Sequence, residues 1–406
     1  MAVEVAARPP QRARLSPSAV GPFPSRAPGN GSGRWPLASG LLAALVAAGL
    51  IMILFLPLTP AYDIDVFLRA GRDFVHGGPV YPAVGTRAVY SGFAFVYPYF
   101  AAVPFGLLAP LSFSAAGVIF FLISAGCVTA ASMLGFERGR LNAALVLCMA
   151  FTITGLQLGS FSPLLFAGVA LLWRMRGRPA AFVLAAPVIA AKLFLAPLLI
   201  WLLLARRYRA LAWAAGATAA LLGAGFLFGP IAPAGYATML SQLAAHEAGS
   251  GFGLIGAMIN VGLPMPAAQA AAAGITLALF GAAFVRFRRT GDERVLLCAG
   301  IAASLLLTPV LWSHYLILLA ACLLVFDARP RWMVALVLAS WALSPPHGVP
   351  ASGVIQLSAL AVLLCYGLAL SPPAAGARGA LAGWIRTVRA GVEERCSMIA
   401  RRYLGA

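Results

Sequence analysis

Long apolar segments, repeated along almost the whole chain, are the feature that most restricts how this sequence can fold. Residues 37–58 carry no charged side chain and match the roughly 20 residues that cross a bilayer. Further apolar segments follow at 93–111, 115–134, 141–155, 159–173, 180–204, 210–229, 267–285, 295–311, 315–326, 331–344 and 352–370. Since 62% of the residues are hydrophobic and 10% are charged, a soluble globular domain is excluded. We predict an all-α polytopic membrane protein with about twelve transmembrane helices.

The net charge of +18 does not indicate a nucleic-acid partner, because nearly all arginines cluster between the apolar segments. That distribution is typical of cytoplasmic loops of membrane proteins. We therefore expect residues 1–36 to form a disordered cytoplasmic tail, 37–370 a transmembrane domain and 371–406 a basic cytoplasmic tail. The protein would lie in the inner (plasma) membrane, with both termini on the cytoplasmic side. The six cysteines have no metal-ligand spacing, and we expect no metal.

Two apolar segments are not expected to cross the membrane as single straight helices. Segment 180–204 contains Lys192 and Pro197 and has arginine clusters on both sides. It keeps both clusters cytoplasmic if it forms two short helices that meet at the outer side near Lys192. Segment 93–111 contains three prolines, which favour a re-entrant or interfacial piece over a span. The large outer loops are then 59–114 and 230–266.

Residues 61–82 hold three of the eleven acidic residues of the chain. Their apolar side chains recur at helical spacing, with charged residues on the opposite face. This pattern predicts an amphipathic helix on the outer membrane surface, with Asp63 as its N-cap and Gly77-Gly78-Pro79 as its end.

Most remaining polar residues fall on the outer side, where an acid, a lysine and a histidine together indicate a site for a charged lipid head group. Each also has a plainer interpretation. Asp63 is either an N-cap or a catalytic acid, and Asp65 suits an i,i+4 partner of Arg69. Lys192, the one lysine in the sequence, either snorkels to the interface or binds substrate. His314 belongs either to an interfacial belt or to the site.

Four motifs resemble those of glycosyltransferase family 87, in the GT-C superfamily. Residues 63–71 (DIDVFLRAG) and 77–81 (GGPVY) resemble the D-x-x-V-Y-x-x-A-G … G-x-x-x-Y opening of that family. Residues 95–98 (FVYP) resemble F-x-Y-P-P, 190–194 (AAKLF) resemble A-x-K-x-x-P, and 308–315 (TPVLWSHY) resemble S-P-x-x-W-x-H-H. Residues 159–162 (GSFS) depart from the G-Q-x-N of the family, and Tyr99 and Tyr315 replace a proline and a histidine.

The resemblance implies an inverting glycosyltransferase that moves a hexose, with mannose favoured, from a polyprenyl-phosphate carrier to a hydroxyl acceptor on the outer face. It implies Asp63 as general base, with Asp65 as the alternative, and Lys192 and His314 as ligands of the donor phosphate. Neither a cofactor nor a metal is implied. Other classes remain open, namely a lipid or sugar transporter and a structural or assembly protein. The predicted substrate-lining residues are Tyr97, Gln157, Ser160, Ser162, Asn260, Trp312 and Tyr315.

Overall fold

A computed structural model describes residues 62–134, 139–326 and 330–343, together with Ser358 and Val362. The regular elements of these residues are helices, and no strand occurs among them, which confirms the all-α prediction. The predicted first span at 37–58, the last apolar segment and both tails lie outside the described residues. The α-helices are α1 Tyr62–His76, α2 Val103–Gly106, α3 Phe113–Leu134, α4 Gly139–Leu147, α5 Ala150–Leu158, α6 Ser162–Arg174, α7 Ala185–Ala191, α8 Leu198–Leu204, α9 Tyr208–Phe228, α10 Pro233–Glu247, α11 Leu254–Asn260, α12 Met265–Thr290, α13 Arg294–Leu307, α14 Leu318–Val325 and α15 Pro330–Ala342.

Three of the described helices are long and apolar enough to cross a membrane, namely Phe113–Met133, Tyr208–Phe228 and Met265–Thr290. The pair Leu141–Leu147 and Ala150–Leu158 makes a fourth candidate, bent by 63° at its break. The predicted count of about twelve spans is not confirmed. Several apolar segments instead contain shorter helices of 10–17 residues, including Ser162–Arg174 and Arg294–Leu307. Such helices suit an interior in which neighbouring protein satisfies the broken backbone.

The predicted break in segment 180–204 is present. A 3-10 turn and α7 cover Pro179–Ala191, the backbone is extended at Lys192, and Leu193–Leu204 forms the second arm. Arg207, just beyond this arm, donates from Nη1 to the carbonyl oxygen of Arg176, just before the first arm, at 2.6 Å. The two ends of the segment therefore lie together, as a hairpin with Lys192 at its tip requires.

Helix α1 is amphipathic as predicted, but its apolar face packs on protein. Phe67 is fully buried, and its ring centroid lies 4.7 Å from that of Phe105 and 4.9 Å from that of Tyr97. The backbones approach closely, since a Cβ on Gly71 would lie 2.4 Å from the carbonyl carbon of Phe105. Short helices at Tyr99–Ala102 and Val103–Gly106 supply this contact, so segment 93–111 forms no span-length helix, as its prolines predicted.

The C-terminal end of α1 is as the sequence predicted, but its N-terminal end is not. Gly77 has a left-handed φ of 70°, and Gly78 N–H bonds the carbonyl of Asp73 at 2.7 Å, which ends the helix as predicted. The N-cap prediction for Asp63 is wrong, because the helix begins at Tyr62 and Asp63 lies in its first turn. An acid there still interacts favourably with the helix dipole.

Candidate active site

A cavity of about 950 Å³ lies between α1, the tip of the hairpin, α10 and the segment after α13. It brings together residues that are up to 252 positions apart in the sequence, from Asp63 to Tyr315. Six of the predicted site residues line it, namely Asp63, Tyr97, Lys192, Trp312, His314 and Tyr315.

Lys192 reaches the cavity from the tip of the hairpin, where α7 has ended and the backbone is extended. Its ammonium lies over the ring of Tyr97, 3.9 Å from the centroid, and 5.1 Å from the centroid of Tyr315. Among the described residues no carboxylate forms an ion pair with it. Aromatic faces hold a cation by the ring quadrupole without cancelling its charge. The ammonium is therefore oriented and remains able to bind an anion.

The two tyrosines beneath Lys192, Tyr97 and Tyr315, connect the segment that packs on α1 to the segment after α13. Their hydroxyl oxygens lie 3.4 Å apart, and the Tyr81 hydroxyl donates to the Tyr97 carbonyl at 2.9 Å. Phe67 and Phe194 pack edge-on against the rings of Tyr97 and Tyr315 respectively. These contacts hold both rings in place, so the position of the lysine is built by the surrounding aromatic core.

Asp63 lies in the first turn of α1 and is partly exposed to the cavity. Burial raises the pKa of its carboxyl to about 6, although the Lys192 ammonium acts in the opposite direction. Loss of hydration disfavours the charged form of an acid, and a nearby cation favours it. A carboxylate with a pKa just below neutral is ionised at pH 7 and still a useful proton acceptor.

His314 is 3% exposed, and its ring centroid lies 4.3 Å from that of Tyr315. Its Nε2 is buried and has no hydrogen-bond partner in the part of the chain that the structure describes. An unpaired buried polar atom is costly unless a ligand or water completes it. Because His314 also lines the cavity, a bound substrate is a suitable partner for this nitrogen.

Five predicted site residues do not line the cavity. Asp65 forms an i,i+4 ion pair with Arg69 at 2.6 Å on the outer side of α1, as its plainer interpretation stated. Asn260 is exposed at the end of α11, where Nδ2 donates to the Gly249 carbonyl. Successive side chains of a helix point in different directions, so residues near the site in sequence can face away from it.

The other three lie at the junction of α5 and α6. The hydroxyls of Ser160 and Ser162 are buried and bond each other at 2.8 Å, so they satisfy one another within the turn between the two helices. Gln157 is partly buried in the last turn of α5. The prediction that these three line the substrate site is not supported by the geometry, and helix α5 contributes Thr154 and Leu158 to the cavity instead.

The sequence did not single out some residues that the cavity contains. Glu247, at the end of α10, was one of many polar residues on the outer side, and Tyr236 lies three turns earlier on the same helix. Glu247 was detectable as one of few acids in an outer loop, but Tyr236 carried no signal. Within the described residues, no group of three or more His, Cys, Asp or Glu is arranged to hold a metal ion. Independence from metals stays a prediction.

The helices and the cavity define a polytopic membrane protein whose candidate site holds a few charged and polar side chains in a largely apolar cavity between its helices. A family model, glycosyltransferase family 87, matches residues 95–313, more than half of the chain. The protein belongs to this family, and it is therefore a glycosyltransferase, which sets the transporter and assembly alternatives aside. Asp63 precedes the matched range, and His314 and Tyr315 follow it directly. Searches of curated proteins and of solved structures give no match.

Proposed function

We propose that the protein transfers a hexose, with mannose favoured, from a polyprenyl-phosphate carrier to a hydroxyl acceptor on the outer face of the plasma membrane. The observation that carries this proposal is the cation at the hairpin tip, which shares one cavity with Asp63 and makes no ion pair among the described residues. A lipid phosphodiester is an anion attached to an apolar chain, and the cavity offers partners for both parts. Its wall also includes many apolar side chains, among them Leu193, Ile200 and Leu243.

In the proposed reaction the acceptor oxygen attacks the anomeric carbon as its proton passes to the Asp63 carboxylate. The bond between the anomeric carbon and the phosphate oxygen breaks, and its electron pair leaves with the polyprenyl phosphate. Attack from the face opposite the leaving group inverts the anomeric configuration. General-base catalysis of this kind contributes about 10²–10⁴-fold.

The leaving phosphate gains negative charge as the bond breaks, and this is where a fixed cation and an imidazole N–H are most useful. Lys192 and His314 are the proposed partners, because electrostatic stabilisation acts on charge that develops in the transition state. Phosphate is already a good leaving group, so no additional acid is required. Both termini are proposed to be cytoplasmic, which places the cavity at the outer side.

The proposal is tested with membrane vesicles that contain the protein and a polyprenyl-phosphate hexose labelled in the sugar. We expect label in a new lipid or glycan, with the configuration at the anomeric carbon inverted. Vesicles that carry Asp63→Asn provide the matched blank. Labelled product from a nucleotide sugar, and none from the lipid-linked donor, would contradict the proposal.

A further inference from the structure

Glu247 is an acidic side chain of the cavity that has no role in the proposed reaction. It is half-buried at the end of α10 and lines the same cavity as Asp63 and Lys192. Among the described residues it makes no ion pair. Its carboxylate therefore remains available to accept hydrogen bonds from a molecule bound in the cavity.

The helix that carries Glu247 is fastened to the loop of residues 79–98, which forms part of the cavity wall. The Gln242 side chain accepts from Gly85 N–H and donates to the Thr86 carbonyl, both at 3.0 Å. His246 stacks on Tyr90 with ring centroids 3.9 Å apart. Because the residue directly before Glu247 is held by this stack, the end of the helix has a defined position.

The chain after Glu247 is fastened to the segment that contains His314. Phe252 N–H bonds the Leu311 carbonyl at 2.5 Å, and a Cβ on Gly251 would lie 2.9 Å from the Pro309 carbonyl oxygen. The backbone on both sides of Glu247 is thus packed against other parts of the cavity wall. Such support from neighbouring elements is what a precise binding residue requires.

The electrostatics of the cavity also indicate that Glu247 has a function. Asp63 and Glu247 both interact electrostatically with Lys192, and a phosphodiester adds a further negative charge. A second carboxylate weakens anion binding unless it makes a compensating contact. Burial raises the pKa of Glu247, although His246 and Lys192 act in the opposite direction. Hydrogen-bond donors of a bound molecule would favour its charged form.

We propose that Glu247 accepts hydrogen bonds from hydroxyl groups of the donor sugar and thereby selects the hexose that is transferred. The two oxygens of a carboxylate suit two adjacent hydroxyls of a pyranose ring. The donor ring is the partner, because Glu247 lines the same cavity as Lys192, which binds the leaving phosphate in the proposed function on which this inference rests. A site built to bond a hydroxyl rejects analogues that lack it.

The test measures kcat and KM of wild type, Glu247→Gln and Glu247→Asp in detergent with polyprenyl-phosphate mannose and its four monodeoxy analogues. For wild type we expect at least one analogue to lose about 10²-fold or more in kcat/KM. In Glu247→Gln that discrimination should shrink about ten-fold or more, while the KM for the acceptor stays within two-fold. Glu247→Asp should restore part of the discrimination. Asp65→Asn is the matched control, because its carboxylate is paired with Arg69 outside the cavity.

The outcomes separate this inference from the proposed function. If wild type transfers no sugar from any polyprenyl-phosphate hexose, the proposed function fails and this inference fails with it. If wild type is active and Glu247→Gln rejects the deoxy donors as strongly as wild type does, the role of Glu247 is wrong and the proposed function stands. A change in acceptor KM with unchanged donor discrimination also overturns it. Thermal unfolding of each variant confirms that the compared proteins are folded.

Discussion

The two ends of the hairpin at residues 179–204 treat positive charge in opposite ways. At the arginine-rich end, Arg207 pairs with Glu293 through two oxygens and donates to the Arg176 carbonyl. Glu293 also accepts from the indole N–H of Trp201 at 2.9 Å. At the tip, Lys192 lies on two aromatic rings, and no carboxylate pairs with it among the described residues.

The difference separates a structural charge from a functional one. A charge that is neutralised by a carboxylate bound through both oxygens closes the hairpin and is not available to bind substrate. A charge that is oriented but not neutralised is costly at rest and becomes useful when an anion arrives. Predictions that affect catalysis therefore belong to the tip and its cavity, and predictions that affect stability belong to the arginine-rich end.

The largest effect is expected from Asp63→Asn, which keeps the size of the side chain and removes the proton acceptor. Transfer should fall by about 10²–10⁴-fold while the amount of folded protein holds. Initial rates with a labelled lipid-linked donor measure this. Asp65→Asn is the control and should stay within a few-fold of wild type. The assignment of the base is wrong if Asp65→Asn abolishes transfer and Asp63→Asn does not.

A second prediction concerns acid pH. Since the pKa of Asp63 is raised to about 6, transfer should fall towards ten-fold per pH unit below pH 6 as the base is protonated. A raised pKa means that protonation of Asp63 does not favour unfolding, because its contribution to stability is fully present at low pH and is lost as the pH rises through 6. Glu247, His314 and Lys192 face the same cavity.

The control for the pH profile is Asp63→Asn, whose residual transfer should lack the limb near pH 6. A limb that persists in this variant would assign the titration to Glu247 or another group of the cavity. Near-constant far-ultraviolet circular dichroism between pH 7 and 5 would show that the protein stays folded over the measured range.

Lys192→Met is expected to have the next largest effect. The variant keeps most of the apolar stem and removes the cation, so the KM for the lipid-phosphate donor should rise about 10–100-fold, a loss that corresponds to a charge-assisted hydrogen bond. The contacts of the arginine-rich end should be unaffected, so thermal stability should not fall and rises if the uncompensated charge is costly. Donor kinetics equal to wild type would reduce Lys192 to a residue that merely caps the hairpin tip, and would leave His314 as the phosphate ligand.

Breaking the arginine-rich end should give the reverse result. Glu293→Gln weakens the pair with Arg207, in which the Glu293 side chain is 15% exposed and the Arg207 side chain 31% exposed. It should lower the free energy of unfolding by about 1–3 kcal/mol. Transfer per folded molecule should stay within two-fold of wild type. Thermal unfolding in detergent measures the first effect. A stable Glu293→Gln with impaired transfer would refute the division between the two ends.

The smallest effect is expected from Asn260→Ala. Its side chain is exposed and bonds the Gly249 carbonyl away from the cavity, so transfer should stay within about two-fold and stability within about 0.5 kcal/mol. A loss of transfer above ten-fold would mean that the substrate reaches beyond the cavity described here. It would also restore the residue to the site that the sequence predicted.

Most of the helical architecture was predictable, because apolar segments bounded by arginines leave the backbone few alternatives in a membrane. The break at Lys192 and its closed arginine-rich end followed from the same charges. The count of spans did not follow, since a segment long enough to cross can equally form two short helices once protein surrounds its break. The predicted segment 141–155 is such a case, because it lies within the pair of helices Leu141–Leu147 and Ala150–Leu158, which are bent by 63° at their break.

The residue types of the candidate site were predictable from the sequence, but which side chains point into the cavity was not. The sequence by itself determined the membrane class, the family motifs and the rarity of acids and of lysine, because these depend on composition and order. Only the tertiary structure decided that Asp63, Lys192, His314 and Glu247 share a cavity while Ser160, Ser162 and Asn260 do not. Contacts between residues more than a hundred positions apart depend on how helices rotate and pack, and a residue's neighbours along the chain do not specify that rotation.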